Sequence, residues 1–218
     1  MLNEKLSLKL RENIEVTGAG RTDTGVHAEY FIGHFNSIKK LDYSFVKLMN
    51  SFLPNDIVIN NLYPVPDDAH ARFSAISRTY EYRISKIKNP FLNDFSLYYS
   101  SSLNIEKMNK AAALLLNVKD FTSFSKLHTD NKTNICNVTK ACFEERNNLL
   151  VFTITADRFL RNMVRAIVGT LLDIGKEKLT IEEFTEIIKY KNRQKAGSSA
   201  PAKGLFLTKI EYPKELFS

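Results

Sequence analysis

The order of helix-like and strand-like segments in the later part of the chain constrains its fold most. The segments that the hydrophobic periodicity and turn signals predict are strand 77–85, helix 105–116, strands 136–146 and 149–156, helix 159–175, a helix capped by Thr180 and Glu183, and strand 205–212. Apart from one additional helix, the order is strand, helix, strand, strand, helix, strand. That is the order of a ferredoxin-like split βαβ unit.

The first part of the chain follows the same order with its first strand absent. It begins with leucine-rich helical residues 2–12 and continues with the segments strand 14–18, strand 26–35, helix 43–52 after Asp42, and strand 57–63. Pro64, Pro66 and two aspartates then mark a boundary. The prediction is an α+β fold with two ferredoxin-like halves, residues 1–68 and 69–218, rather than one doubly wound sheet.

The charge balance favours a polyanionic partner. Lys and Arg number 31 against 24 Asp and Glu, which gives a net charge of +7. Such an excess is typical of nucleic-acid binding, although a merely basic soluble protein has it too. No apolar run approaches the roughly 20 residues that span a bilayer. Two cysteines without zinc-site spacing are expected to be reduced thiols, which fits a cytoplasmic protein without a metal.

The glycine-rich segment GAGRTDTG, residues 18–25, first suggests a phosphate-binding loop. A Walker A loop would require Lys after Gly25, where Val26 stands, and a dinucleotide loop would require glycine where Asp23 stands. Two interpretations remain for Asp23. It either caps a turn or acts as a covalent nucleophile, for which Arg21 or another arginine would favour the ionised carboxylate.

The longer segment GAGRTDTGVHA, residues 18–28, resembles the signature of the TruA family of tRNA pseudouridine synthases. Four further blocks that resemble the family follow in order: HARFSAISRTYEYRI at 70–84, DFTSF at 120–124, FLRNMVRAIVGTLLDIG at 159–175 and APAKGLFL at 200–207. The resemblance runs from about Leu6 to Tyr212. The chain is therefore identified as a member of this family.

The resemblance implies a tRNA-uridine isomerase that needs no cofactor and no metal. Family members convert uridine to pseudouridine in the anticodon stem-loop of tRNA, and two ferredoxin-like halves join their mainly antiparallel sheets around a central basic cleft, usually in a homodimer. By resemblance Asp23 is the nucleophile, which attacks either the uracil ring or ribose C1′. The alternative from another class is an RNA-binding or tRNA-folding module that keeps the cleft without turnover.

The resemblance also assigns residues around the uracil. Arg165 matches the arginine that pairs with the catalytic carboxylate. Tyr80 matches the active-site tyrosine, whose ring would stack on a flipped uracil and whose hydroxyl would help to remove the C5 proton. Leu205 resembles the residue that walls the uracil pocket. Core positions are the competing interpretation for Tyr80 and Leu205, and Tyr82 is predicted to be a core residue.

Further basic residues are candidates for RNA contacts. Arg21 either holds the target base out of its stack or forms a salt bridge with Asp23, and Arg72 is a candidate cleft residue. The candidates for backbone phosphate are Arg158, Arg161, Lys189, Lys191, Arg193 and Lys195. A solvated basic surface is the competing interpretation for them.

A helical wheel over residues 158–171 supports the placement of Arg165. It gathers Arg158, Arg161, Asn162, Arg165 and Gly169 on one face. Gly169 would leave room for another chain or a ligand to come close. Among the histidines, His27 is predicted to position the signature loop, while His34, His70 and His128 have neither triad nor metal-ligand spacing.

The chain departs from the family at its start. Family members begin with a strand and a Tyr-Asp-Gly-Thr…Gly-Trp-Gln block, whereas this chain has no Trp and lacks that block. The order of elements leads to the same expectation of a missing first strand. The absence of a central strand would expose a sheet edge and remove part of the RNA surface.

Overall fold

A computed structural model of the chain describes residues 1–126 and 133–217. His128, for which neither triad nor metal-ligand spacing was predicted, lies outside the described residues. The helices within the described ranges are α1 (Leu2–Leu10), α2 (Tyr43–Asn50), α3 (Ile105–Leu114), α4 (Met163–Gly175) and α5 (Ile181–Tyr190). The strands are β1 (Thr17–Gly18), β2 (His27–Ala28), β3 (Gly33–His34), β4 (Ser77–Ser85), β5 (Leu97–Tyr98), β6 (Val138–Arg146), β7 (Leu149–Ala156) and β8 (Leu205–Glu211). The predicted α+β class is confirmed. No described helix has the length and apolar character needed to cross a bilayer.

The chain divides into two compact units, and neither is a continuous piece of sequence. The first unit comprises Met1–Arg21, Ile32–Ala75 and Tyr212–Ser218. The second comprises Thr22–Phe31 and Ile76–Glu211. The predicted halves, with their ferredoxin-like folds, joined sheet and basic cleft, stay predictions.

In the first unit a small core forms where α1 and α2 contribute their apolar faces. Leu6, Leu10, Ile14 and Met49 are buried together in it. The predicted cap of α2 is confirmed, because the Asp42 carboxylate accepts hydrogen bonds from the first-turn amides.

The strand predicted over 57–63 is wrong, since no strand lies there. Instead the Asn50 side-chain amide donates to the Ile59 carbonyl at 2.8 Å and accepts from the Ile59 amide at 2.8 Å. One side chain thus satisfies both backbone groups of Ile59, as a paired strand would otherwise do.

In the second unit the sheet has the strand order β2-β8-β4-β7-β6, and β5 pairs with the end of β4. The long neighbours are antiparallel, while β2 runs parallel to β8. The β6–β7 hairpin turns at Asn147 and Asn148 as predicted, and their φ values of 49° and 64° suit a type I′ turn. Tyr82, Phe152 and Ile154 lie on one sheet face and are fully buried in a core shared with α3 and α4.

Helix α4 begins later than predicted. The helix expected over 159–175 begins at Met163, because Asn162 has φ 64° and ψ 3°, a left-handed conformation that a continuing α-helix excludes. Arg158, Arg161 and Asn162 therefore do not share a helical face with Arg165, and that part of the wheel is wrong. Arg165 and Gly169, four residues apart, do lie on one face of α4.

The predicted end of α4 and the predicted start of α5 are both present, although the end of α4 does not depend on a left-handed glycine. Helix α4 ends at Gly175 as predicted, but the left-handed residue is Glu177, with φ 57°. A Cβ at Gly175 would lie 2.4 Å from the Met108 sulfur, so this glycine allows close packing against α3. The capping box at the start of α5 is confirmed, with both Thr180–Glu183 hydrogen bonds present.

Candidate active site

The signature segment places Asp23 in a tight turn of the second unit. The Val26 amide donates to the Asp23 carbonyl at 3.1 Å, and Gly25 has φ +81°, a conformation that L side chains rarely adopt. The chain then enters β2, where His27 pairs with Phe206 of β8 and stacks its ring on that phenyl at 4.7 Å. Strand β2 therefore anchors the turn to the main sheet, and His27 positions it.

Gly20 and Gly25 differ in backbone conformation, so replacement by alanine is expected to affect them differently. Because Gly25 is left-handed, Gly25→Ala is expected to lower the free energy of unfolding by about 1 kcal/mol. A Cβ on Gly20 would meet no atom within 4 Å, and its φ is ordinary, so Gly20→Ala should leave that free energy unchanged or slightly raised. Urea denaturation of both variants measures the difference in the free energy of unfolding. Equal changes in the two variants would show that the left-handed conformation of Gly25 does not make alanine costly there.

The carboxylate of Asp23 forms an ion pair with Arg165 of α4. Arg165 Nη1 lies 2.9 Å from Asp23 Oδ2, and the side chains are 21% and 23% exposed. Arg165 Nε donates to the Ala200 carbonyl at 2.8 Å, which fixes the plane of the guanidinium. The carboxylate is thus held in a defined orientation while it remains accessible to a substrate.

The segment 196–200 closes over α4 and holds Arg165 in place. A Cβ at Gly169 would lie 1.7 Å from the Ser198 carbonyl oxygen, so only glycine allows this approach. The Gly197 amide donates to Thr170 Oγ1 at 3.0 Å, and the Ala200 amide donates to the Arg165 carbonyl at 2.9 Å. The space predicted beside Gly169 is therefore filled by the chain itself.

Arg193 is directed into this same segment. Its Nη1 donates to the Gly197 carbonyl at 3.1 Å, and its Nη2 donates to Ser199 Oγ at 2.9 Å. Asn162 Nδ2 donates to the same hydroxyl at 2.7 Å. Burial lowers the pKa of the Arg193 guanidinium.

The contributions of Ala200, Ser199 and Asn162 to this site were not predicted. The only signal for them in the sequence is the run of small residues that packs opposite Gly169.

The other predicted phosphate contacts lie on or near the surface. Lys189 pairs with Glu186 at 2.8 Å and Lys191 with Asp120 at 2.9 Å. Lys195 and Arg161 are exposed, and Arg158 is half-buried. Contacts between RNA phosphate and these five basic residues, like that of Arg193, stay predictions.

Tyr80 lies in the middle of β4, between Leu207 of β8 and Ile154 of β7. Its ring makes an edge-to-face contact with Phe159 at 5.2 Å. Burial raises the pKa of Tyr80 to about 12, with Arg78 opposing the shift and the Asp23 carboxylate adding to it.

Tyr82 and Leu205 face each other on β4 and β8 in the core of the second unit. Tyr82 is fully buried and its hydroxyl donates to the Pro201 carbonyl at 2.9 Å, which confirms it as a core residue. Leu205 is 5% exposed. Its predicted contact with uracil stays a prediction.

The two remaining candidates, Arg21 and Arg72, belong to the first unit, and both are exposed. The ion pair of Asp23 is the one with Arg165. Across the described residues, no group of three His, Cys, Asp or Glu side chains has an arrangement suited to a metal ion.

Comparison with known proteins identifies the family. Residues 111–213 match the family model described as tRNA pseudouridine synthase. A protein named tRNA pseudouridine synthase A from Bacteroides thetaiotaomicron is 50% identical over 221 residues, which cover 100% of this chain and 82% of the relative. The chain belongs to the TruA family. The resemblance inferred from the signature and its four companion blocks is thereby confirmed, and with it the isomerase class.

Two further TruA relatives, both named tRNA pseudouridine synthase A, extend the comparison. The protein from Bacteroides fragilis is 50% identical over 99% of this chain and 87% of its own length. The protein from Clostridium acetobutylicum is 40% identical over 92% of this chain and 84% of its own length. The similarity to the TruA family therefore extends through both units.

Proposed function

We propose that this TruA-family chain isomerises uridine to pseudouridine in the anticodon stem-loop of tRNA, with Asp23 as the nucleophile. The observation that carries the proposal is the Asp23–Arg165 ion pair at 2.9 Å, and the same carboxylate contributes to the raised pKa of Tyr80. The names of the relatives support tRNA as the substrate, and the net charge of +7 suits it.

In the proposed reaction, the Asp23 carboxylate forms a covalent bond to either the uracil ring or ribose C1′. In attack at C1′, the bond to Asp23 forms as the glycosidic C–N bond breaks, and it breaks in turn when C5 of the turned uracil bonds to C1′. In attack at the uracil ring, the glycosidic bond breaks afterwards, C5 bonds to C1′, and the bond to Asp23 breaks last. The C5 proton is lost in both routes. Arg165 keeps the carboxylate oriented throughout, because its Nε is held by the Ala200 carbonyl.

Tyr80 contributes in two ways to this reaction. Its ring supports the flipped uracil by stacking. With a pKa raised to about 12, the phenol is protonated at neutral pH and is a hydrogen-bond donor at rest. It assists removal of the C5 proton only by releasing its own proton to solvent water as it accepts the C5 proton.

Tritium release tests the proposed reaction, because C5 exchanges its hydrogen for carbon when pseudouridine forms. The chain is incubated with unmodified tRNA that carries tritium at uracil C5, and the modified uridines are then mapped. Release with pseudouridine in the anticodon stem-loop is the expected result. No release, or modification confined to another part of the tRNA, would refute the proposal.

Tyr80→Phe is expected to lower kcat by about 10²-fold while KM stays within about threefold of wild type. The substitution removes the hydroxyl and keeps the ring that contacts Phe159. Tyr82→Phe is the matched control: it loses the hydrogen bond to Pro201, should cost about 1 kcal/mol of stability, and should keep turnover. A Tyr80→Phe variant with wild-type kcat would show that the hydroxyl has no role in proton transfer.

The proposal includes a cytoplasmic homodimer, as the family resemblance implies. Cys136 is fully buried and burial raises the pKa of its thiol to about 12, so it is expected to stay reduced and unreactive. Light scattering at micromolar concentration distinguishes a dimer from the 25.0 kDa monomer.

A further inference from the structure

A turn of the first unit, residues 70–73, is held by two histidine rings. The Ala71 amide donates to His34 Nδ1 at 3.1 Å. The Arg72 and Phe73 amides donate to His70 Nδ1 at 3.1 and 3.3 Å. Three consecutive backbone amides are therefore satisfied by imidazole lone pairs, which is an uncommon way to organise a turn.

The turn has a buried base and an exposed tip. Ala71 is 4% exposed, and its carbonyl accepts a hydrogen bond from the Tyr212 hydroxyl. Phe73 is 75% exposed and lies 4.4 Å from the His70 ring, centroid to centroid. The Arg72 guanidinium lies 5.5 Å from the Phe73 ring. An aromatic ring and a cation are thus displayed together on a rigid support.

We propose that the Arg72–Phe73 tip is an RNA-binding site, where Phe73 stacks on an unpaired base and Arg72 contacts the adjacent backbone. His34 and His70 are positioning residues, which hold the tip only while their Nδ1 atoms carry no proton. The inference rests on the proposed function in one respect, namely that the partner of this chain is RNA.

The chemistry of the tip favours RNA over a protein partner. Bases stack on aromatic side chains at any sequence, and a neighbouring arginine adds attraction to phosphate. The chain carries a net charge of +7, which favours a polyanion. Because His70 already supports the Phe73 ring, little conformational entropy remains to be lost when a base stacks on it.

The proton dependence follows from the direction of the hydrogen bonds. A backbone N–H only donates, so each Nδ1 must present its lone pair and the neutral ring carries its proton on Nε2. Protonation would place an N–H on Nδ1, facing the backbone N–H that donates to it in the neutral ring, and the hydrogen bond would break. The tip would then lose its support.

The charged surroundings of the His34 ring disfavour its protonation. The His34 and His70 ring centroids are 4.8 Å apart, and Arg72 adds a positive charge on the same turn. Within the described part of the chain neither ring forms an ion pair with a carboxylate. Burial and then His70 lower the pKa of His34, while a hydrogen bond with the Thr17 backbone opposes the shift. The contribution of neutral His34 to stability is therefore complete above its unfolded-state pKa of 6.5. It is lost as the pH falls through the lowered pKa that His34 has in the folded state.

Binding of an unmodified tRNA transcript, measured at constant ionic strength from pH 8 to pH 5.5, tests the inference. We expect the wild-type Kd to rise about tenfold over this range as the tip is released, in line with the loss of one stacking contact. Protonation of a basic protein would by itself tighten RNA binding, so a weakening at low pH separates the two effects.

Three variants make the test specific. His70→Asn places an amide oxygen where Nδ1 stood, so it should bind with nearly wild-type Kd at pH 8 and show a clearly smaller pH-dependent weakening, with only the His34 contact left to break. His70→Ala should bind weakly at every pH. Phe73→Leu should raise Kd about tenfold at pH 8, while thermal denaturation shows that each protein is folded.

The outcomes that overturn the inference differ from those that refute the proposed reaction. A wild-type Kd for Phe73→Leu at pH 8, or an unchanged pH profile for His70→Asn, overturns it even when tritium release is normal. Loss of dimer assembly by Phe73→Leu with normal RNA affinity would make the tip a protein contact and overturn it as well. If Phe73→Leu weakens binding but the wild type releases no tritium, the inference stands and the proposed reaction fails.

Discussion

Asp23→Asn is expected to lower tritium release from C5-labelled tRNA by roughly 10³-fold or more, because an amide cannot form the covalent intermediate. The variant should still fold and bind tRNA, since asparagine has nearly the same shape and its oxygen can accept from Arg165 Nη1, which now donates to Asp23 at 2.9 Å. Single-turnover tritium release and filter binding, measured on the same preparation, separate chemistry from affinity.

Asp56→Asn is a matched control, because it makes the same substitution on an exposed turn residue and should keep full turnover. Wild-type tritium release by Asp23→Asn would remove Asp23 from the role of nucleophile. A folded Asp23→Asn protein that no longer binds tRNA would instead assign the carboxylate to substrate binding. An RNA-folding module without turnover would show binding and no release in the wild type as well.

Gly169→Ala should have the second largest effect, although Gly169 lies outside the signature segment. The new Cβ would lie 1.7 Å from the backbone oxygen of Ser198, so segment 196–200 must move and the Ala200 carbonyl must leave Arg165 Nε. We expect a decrease of about 1–3 kcal/mol in the free energy of unfolding from this overpacking. We also expect a decrease of about 10²-fold in kcat, since misorientation of a catalytic group is costly.

A control of similar stability separates the two consequences of this substitution. Val168→Ala removes buried methyl groups from the neighbouring position of α4 and should cost about 1–3 kcal/mol without displacing segment 196–200. Urea denaturation measures both stabilities, and tritium release below the unfolding transition measures both rates. If Gly169→Ala keeps the turnover of Val168→Ala, the position of segment 196–200 does not control Arg165.

Signals that act over a few residues predicted local structure well. The Asn147-Asn148 turn, the Thr180–Glu183 capping box and the Asp42 cap depend only on neighbouring backbone, and all three are present. The predictions were wrong where an unusual backbone conformation or a side-chain contact determines the local structure. Asn162 adopts a left-handed conformation that helical periodicity does not reveal, and an Asn50 side chain replaces the strand partner of Ile59.

The candidate site was predictable where a family motif carried the information. Asp23 and Arg165, 142 positions apart, form the ion pair that the resemblance implied. Arg193 was assigned to RNA phosphate from a basic run, but the composition of a run does not show that its guanidinium meets Gly197 and Ser199. His34 and His70 had no recognisable spacing, because their partners are backbone amides rather than other side chains.

The parallel pairing of β2 with β8 has a consequence for the order of events during synthesis. His27 and Ala28 pair with Phe206 and Leu207, so the segment that bears Asp23 meets its neighbour in the sheet only after β8 has been synthesised. Pairing between segments so distant in sequence is slow to form. A nascent chain therefore contains the Asp23 carboxylate long before β8 is there to hold it in position.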